Sequence, residues 1–547
     1  MFNVCPKETA SMQTRDGVRL DADIYRPDAE GPFPVLLMRQ PYGRAIASTL
    51  VYAHPSWYAA HGYIVAIQDV RGRGTSEGEF KPFEQEIDDG YDSIEWAANL
   101  PGSSGDVGMY GFSYQGMTQL YAAIAKPPAL KAICPASVGA DLFRDWAYEG
   151  GAFCLQANLG WAIQLAAETA RLKGDAAAYQ ALATASQSLP LNDPIPARPE
   201  ILQTFAPESF YHEWLEHPEP GVYWERLSPQ AALQEVDLPM LHIGGWFDVY
   251  LRGTIRFYKD MAARSAFPQQ LLVGPWAHFP WSRRVGEKDY GPQAFSPADR
   301  LQVRWFDEFL KDVETGLLDE RPISMFEMGS NRWYSLDGWP NEDRKPYFLS
   351  SKGRANLRND AGSLSEASPS SCPTDIIVHD PWRPVPALGG HAVSPAGAFE
   401  RSALDCRSDV LVYTSSLLAT DLHLIGETTV AVWCEADTPS FDLCAVLSEV
   451  QLDGAVYNLT QGYVRVNPGQ STSPLRINLQ PICARIDRGK SLRLSLSAAC
   501  FPAYPINPGT GTPPGEASAM EAQPITLKIC CGGDYPSQVL LPVVSPY

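Results

Sequence analysis

The sequence predicts an α/β unit on a doubly wound, mostly parallel sheet, broken by a helical insertion and followed by an all-β unit. Three observations carry that reading. Apolar runs such as Pro34–Met38 and Tyr63–Ile67 alternate with helical stretches as far as Pro135. There the rhythm stops, gives way to a stretch rich in Ala, Leu, Trp and Glu, and resumes at Leu238. From about Pro346 onward, short β-like runs separated by Pro, Gly and Ser turns follow one another.

In order, Val18–Tyr25 alternates polar and apolar residues and reads as a half-buried strand ended by Arg26-Pro27. Pro34–Met38 is a continuous apolar run suited to a central strand, and it empties into Arg39-Gln-Pro-Tyr-Gly43. A helical stretch around Tyr52–Ala60 leads to the buried strand Tyr63–Ile67. The glycine-rich segment Gln68–Gly78 lacks the Lys-Ser/Thr of a Walker loop and the dinucleotide spacing, so it reads as a structural loop shaped by Asp69 and Arg71. A helix from about Glu84 to Asn99 opens on acidic residues.

Val107–Met117 reads as a strand, a sharp turn at Ser113 and the opening of a helix, Met117–Ala125. The turn approaches G-x-S-x-G, but Gln115 holds the second glycine position and Gly116 follows one residue late, so the Gln115 side chain must point away. Residues 141–236, with helical patterns at Leu159–Arg171 and Asp175–Ser188, form an insertion over the sheet. The sheet resumes with Leu238–Gly244, a helix at Leu251–Ala263 and Gln269–Val273, and an amphipathic helix at Pro297–Asp312 closes the α/β part. Runs such as Asp409–Tyr413, Thr428–Trp433, Asp442–Leu447, Val456–Val464 and Ser491–Ser497 build an all-β sandwich of jelly-roll type, after a loop-rich boundary at Ser350–Pro386. The expected divisions are 1–140 and 237–345 for the two α/β parts, 141–236 for the helical cap and 346–547 for the β domain.

A chain of 547 residues is too long for one core. Its formal charge of −20 argues against nucleic acid or an anionic membrane as partner. The eleven cysteines show no C-x-x-C pair and no zinc-like spacing. With no visible signal peptide and no membrane-length apolar run, a cytoplasmic enzyme with reduced thiols is expected.

Gly245-Trp-Phe-Asp248 and Gly274-Pro-Trp-Ala-His278 place a carboxylate and an imidazole just past expected strand ends, where ligands bind in open α/β sheets. The order Ser113, Asp248, His278 is that of an α/β-hydrolase triad. Of the nine histidines, His242 lies within an apolar strand and reads as a satisfied core residue, while His379, His391 and His423 fall beyond the sheet.

With Arg39–Gly43, Ile67–Gly72, Gly108–Gly116, Gly245–Asp248 and Val273–His278 assembled, the chain resembles the cocaine esterase and X-prolyl dipeptidyl peptidase family of serine hydrolases. The family's own G-x-S-Y-x-G form matches the late second glycine. The resemblance implies an α/β-hydrolase domain with an inserted helical cap and a C-terminal jelly-roll domain. It implies Ser113 as nucleophile, His278 as general base and then acid, and Asp248 as its orienting carboxylate. The Tyr42 hydroxyl and the Tyr114 backbone N–H would be the oxyanion donors. Trp146, Trp161 and Tyr250 match an aromatic acyl pocket, against the alternative of cap packing. Tyr250 stands where a phenylalanine is expected, and Gly389–Val393 departs from the apolar loop expected to face the pocket.

The implied reaction is hydrolysis of small-molecule carboxylic esters with a hydrophobic acyl group, with no metal or organic cofactor. An amide-directed acylase or X-Pro dipeptidyl peptidase remains the alternative, with Asp145 and Glu149 the acidic residues available for a substrate ammonium. Their plainer reading is a solvated helix face. A carbohydrate-binding protein without catalysis is disfavoured by the complete Ser–Asp–His set, and a homo-oligomer is left open.

Overall fold

The computed structural model of the chain describes residues 1–45, 49–193, 195–340, 344–358, 360–470, 474–513 and 515–544. Its α/β part opens with strands β1 (Glu8–Gln13), β2 (Arg19–Tyr25) and β3 (Phe33–Gln40), helix α1 (Pro55–Ala60) and strand β4 (Ile64–Asp69). Helix α2 (Glu86–Ala98), strand β5 (Ser103–Phe112), helix α3 (Tyr114–Ile124) and strand β6 (Leu130–Ala136) follow. The apolar runs become strands because each is buried on both faces between layers of helix: Val35, Leu36, Leu37 and Met38 are all inaccessible to solvent.

β2 departs from the expected half-buried alternation, since Asp21 and Asp23 are buried along with the apolar residues. Their carboxylates are taken up locally. Asp23 pairs with Lys7 and Arg44, and Asp21 accepts from Ser11. Period-two polarity reports solvent only where polar side chains lack buried partners, and here they have them.

After β6 a single π-helical turn (Phe143–Ala147) and the short strands β7 (Tyr148–Glu149) and β8 (Ala152–Phe153) lead into the cap. Its helices are α4 (Leu155–Lys173), α5 (Ala176–Gln187), α6 (Glu200–Phe205), α7 (Phe210–Glu216), α8 (Val222–Leu227) and α9 (Gln230–Leu233). Gly174 ends α4 in the left-handed conformation, and the Asp175 carboxylate caps α5 by accepting from the Ala178 N–H at 3.0 Å. The sheet then resumes with β9 (Met240–Phe247), α10 (Leu251–Arg264) and β10 (Gln269–Ala277). The two-residue strands β11 (Arg284–Val285) and β12 (Lys288–Asp289), helix α11 (Ala298–Leu310) and strands β13 (Ile323–Glu327) and β14 (Arg332–Leu336) complete this part.

The ten-stranded sheet has the order β1-β2-β4-β3-β5-β6-β9-β10-β13-β14. Strands from β4 to β13 run parallel, and only the margins, β1-β2-β4 and β13-β14, are antiparallel. The order reverses between β3 and β5, which opens a crevice at their carboxyl ends. One face of the sheet shares a core with the cap, including Leu159, Ile163 and Trp214. The other face packs under α1 and α11.

The second large sheet holds thirteen strands, among them Arg344–Ser351, Phe441–Val450 and Val456–Val466. It is antiparallel apart from the pair Gly362–Ser365 with Val410–Ser415. Ser350–Pro386 is more ordered than expected from its turn residues, since Gly362–Ser365 and Asp375–His379 are strands of this sheet. Arg344–Ser351 is one strand of this sheet and spans the division expected after residue 345. The β domain is fused to the α/β part by a common core that includes Trp246, Leu271, Met325 and Leu424. Among the described residues, no helix is long and apolar enough to cross a membrane.

Candidate active site

The turn after β5 is tightly constrained. Ser113 has φ 61° and ψ −128°, a conformation costly for any residue with a Cβ. Its N–H donates to the Ala136 carbonyl at 2.9 Å, and its own carbonyl accepts from Gly116 and Met117. α3 begins at Tyr114, directly after the serine and three residues ahead of the expected start. The displaced glycine has a steric cause. A Cβ on Gly111 would stand 2.5 Å from the Gln115 Cβ, so the first glycine makes room for the glutamine. A Cβ on Gly116 would meet Val138 at 2.5 Å and the Ala136 carbonyl at 2.6 Å, so the close approach of helix to sheet falls there. Gln115 does not point away: its Oε1 accepts from the Phe112 N–H at 3.4 Å, bracing the turn from within.

His278 follows β10 and Asp248 follows β9, and the structure joins them: Nδ1 of His278 donates to Asp248 Oδ1 at 3.0 Å. Asp248 is inaccessible to solvent and also accepts from the Tyr250 N–H at 3.1 Å. Burial alone would raise its carboxyl. The adjacent His278 outweighs that, with help from Ser137 and the Tyr250 N–H, and holds it below the usual carboxylate range. The Phe112 ring, next to Ser113, lies 5.3 Å from the imidazole centroid, so His278 stands against the serine turn. Among the described residues, no hydrogen bond closes Ser113 to His278; in a free enzyme such bonds are often long and tighten on substrate.

Tyr42 leaves the end of β3. Its phenol oxygen accepts from the Trp161 indole N–H at 3.1 Å, which leaves the hydroxyl hydrogen available for another acceptor. Ser113 is among its hydrogen-bonding neighbours. Burial pushes the phenol up to about 12, against the opposing pull of Trp161 and Arg73, so Tyr42 stays a protonated donor. Tyr114, as the first residue of α3, has an N–H with no carbonyl one turn back in the helix. Its side chain is anchored in a buried chain: the hydroxyl donates to Glu86 Oε1 at 2.8 Å, and Glu86 Oε2 pairs with Arg39 at 2.6 Å. The residues of Arg39–Gly43 thus brace the serine helix as well as deliver Tyr42.

Trp146 and Tyr250 pack with ring centroids 4.1 Å apart and planes tilted by 31°, and Tyr250 meets the His278 ring edge-on at 5.0 Å. Trp161 lies 5.7 Å from Trp146. The three aromatics form one wall from cap to imidazole.

Asp145 and Glu149 are not a solvated helix face. Both are buried, Asp145 paired with Arg256 and Glu149 held by Arg252 at 2.7 Å, His391 at 2.9 Å and Tyr504 at 2.5 Å. Arg252, His391 and Tyr504 outweigh the burial penalty and keep Glu149 ionised well below the carboxylate range. His391, in the segment Gly389–Val393, therefore reaches the cap from the β domain. His242 is half satisfied: Nε2 bonds Gln269 at 3.1 Å, while Nδ1 has no partner among the described residues.

Two residues near the site carry no motif that sequence reasoning could use. Gln480 of the β domain donates to the carbonyls of Trp246 at 3.1 Å and Asp248 at 2.8 Å, clamping the strand end that bears the carboxylate. Ser137, after β6, helps hold the Asp248 carboxyl down, although neither its Oγ nor Asp248 Oδ2 completes a hydrogen bond. A lone glutamine or serine remote in sequence gives no pattern to read.

Comparison with known proteins bears on the family and the fold. Residues 16–280 match the X-Pro dipeptidyl-peptidase (S15 family) domain, and residues 315–540 match the X-Pro dipeptidyl-peptidase C-terminal non-catalytic domain. Cocaine esterase of Rhodococcus sp. (strain MB1 Bresler) is 30% identical over 560 residues, spanning 97% of each chain. An aminopeptidase from a marine sediment archaeon, Thaumarchaeota archaeon, superposes with a TM-score of 0.82 at 23% identity, over 100% of this chain and 97% of its own. An α-amino acid ester hydrolase does so with a TM-score of 0.80 at 22% identity, over 99% and 97%. These two share the fold. The chain belongs to the serine hydrolase family that includes cocaine esterase and the X-Pro dipeptidyl-peptidases.

Proposed function

We propose that this serine hydrolase cleaves carboxylic esters through an acyl-enzyme on Ser113, with a hydrophobic acyl group held by Trp146, Trp161 and Tyr250. In acylation, His278 Nε2 takes the hydroxyl proton as Ser113 Oγ bonds to the ester carbon. The oxyanion receives hydrogen bonds from the Tyr42 hydroxyl and the Tyr114 N–H. Collapse breaks the bond to the alcohol oxygen, which leaves with the proton from His278. A water then attacks the acyl carbon, its proton passes to His278 and on to Ser113, and the carboxylic acid departs. Asp248 keeps the imidazole in the right tautomer and stabilises its charged form.

The observation that carries this reading is the convergence at the carboxyl ends of β3, β5, β9 and β10. A strained serine meets a helix-first N–H, a phenol donor and an Asp-backed imidazole. Similarity to an esterase along nearly the whole chain supports the ester as substrate. The ion pairs of Asp145 and Glu149 argue against the peptidase alternative, since neither carboxylate is left to hold a substrate ammonium. Buried thiols such as Cys134, Cys154 and Cys483 fit the reducing cytoplasm as its compartment.

The test is kcat/KM for phenyl benzoate and phenyl acetate beside an Ala-Pro anilide. Ester turnover that disappears in Ser113→Ala is the expected result. Faster turnover of the anilide than of either ester would overturn it in favour of the peptidase.

A further inference from the structure

The glycine-rich loop after β4 has no part in the chemistry above, yet it buries a cation beside the site. Arg73 is 2% exposed and forms no ion pair among the described residues. Its Nη1 donates to the Leu165 carbonyl at 3.1 Å, its Nε has no hydrogen-bond partner among the described residues, and its guanidinium lies 4.0 Å over the Phe80 ring. A desolvated guanidinium without a carboxylate is expensive to keep. Burial pulls it down to about 10, which still leaves it charged at neutral pH.

The loop is built to hold this residue in place. Gly74 has φ 57°, and its bare Cα lies against the Asp69 carboxylate where a side chain could not fit. The same carboxylate receives the Arg44 N–H at 2.7 Å and the Arg44 guanidinium at 2.6 Å. Asp69 thus bolts the Arg73 turn to the Tyr42-Gly43-Arg44 turn on the neighbouring strand. On the far side, Leu165 lies one turn along α4 from Trp161, the donor to Tyr42. Phe80, beneath the guanidinium, lies 5.8 Å from the Tyr114 ring. The two side-chain contacts of Arg73 named above, to Leu165 and to Phe80, therefore adjoin the residues that neighbour the two oxyanion donors.

We infer that Arg73 is a positioning residue whose unpaired charge, held behind Tyr42 and Tyr114, stabilises the oxyanion formed on Ser113. This rests on the acyl-transfer reading above. Its field strengthens the Tyr42 hydroxyl as a donor and favours negative charge on the former carbonyl oxygen, with no contact to substrate. The titratable groups around it are Tyr42, Tyr114 and Glu168, and Glu168 is already bound to Arg171 at 2.7 Å.

The experiment compares Arg73→Gln and Arg73→Lys with wild type in phenyl ester hydrolysis and in inhibition by phenylboronic acid, whose tetrahedral adduct on a serine is anionic. Arg73→Gln is expected to lower kcat about ten-fold with little change in KM and to weaken phenylboronic acid by a similar factor. Arg73→Lys keeps most of the activity at neutral pH. It then loses activity as pH rises and the buried ammonium discharges, over a range where wild type stays level. That pH profile needs only the lysine variant, so it serves even if the glutamine variant does not fold. A glutamine variant with kcat and boronate affinity within two-fold of wild type would overturn the inference, as would a lysine variant with the wild-type pH profile. Absence of ester turnover in wild type would instead overturn the reading on which it rests.

Discussion

Tyr42 and Trp161 stand 119 residues apart, and the single hydrogen bond between them sets how the phenol works. With its oxygen already receiving the indole N–H, the hydroxyl hydrogen is left for another acceptor, which under the proposed mechanism is the oxyanion. Tyr42→Phe is expected to lower kcat by about 10²–10³, the cost of one lost oxyanion donor, with the melting temperature little changed. Turnover near wild type would contradict the role. Trp161→Phe keeps the ring and removes the donor, so kcat is expected to drop about ten-fold while KM for a benzoyl ester moves little. An equal rise in KM with unchanged kcat would instead make Trp161 a pocket wall alone. Of this pair, the sequence made Tyr42 visible through Arg39–Gly43, whereas the bond to Trp161 depends on how the cap folds back over β3. Asp145 and Glu149 were misread for the same reason: their partners Arg256 and Arg252 lie on α10, beyond the reach of any local pattern.

At the scale of elements, continuous apolar runs located β3, β4, β5 and β9 because burial on both faces leaves no polar alternation to confuse them. The burial of β2 is not legible in its polar alternation because its inward Asp23 is neutralised by Lys7, just ahead of β1, and by Arg44 of the Tyr42 turn. The serine turn was legible as a glycine-rich strand–helix junction, but the reason for its late glycine lies in the contact with Val138 and β6. The β domain's hold on the catalytic strand end was not legible at all, since Gln480 acts through backbone carbonyls. Gln480→Ala removes a donor from two buried carbonyls, of which that of Asp248 keeps the Leu251 N–H at 3.1 Å, and loosens the Asp248 strand end. The variant is expected to lose about 1–3 kcal/mol of stability in denaturant unfolding and several-fold in kcat. A variant with wild-type kcat would show that the clamp serves folding alone.

Across the whole molecule, acid stability depends on buried groups that refuse or require protons. Burial lowers His242 from 6.5 to about 4. Below pH 6.5 the unfolded chain takes up a proton that the folded chain refuses until about 4, so folding stability falls as pH drops through that window. The loss from this one group amounts to roughly 3 kcal/mol. Denaturant unfolding at pH 7 and pH 4.5 should show a smaller acid loss in His242→Leu than in wild type, and equal losses would contradict the assignment. The two sheets, the cap and the loop that buries Arg73 all converge on the crevice at Ser113, and acyl transfer requires that side chain as the nucleophile. The measurement that reaches it directly is mass spectrometry of enzyme quenched with acid during steady-state turnover of phenyl benzoate, followed by peptide mapping. One benzoyl group on the peptide containing Ser113, absent from Ser113→Ala, is the expected result. A benzoyl group on another residue, or ester turnover by Ser113→Ala at the wild-type rate, would contradict it.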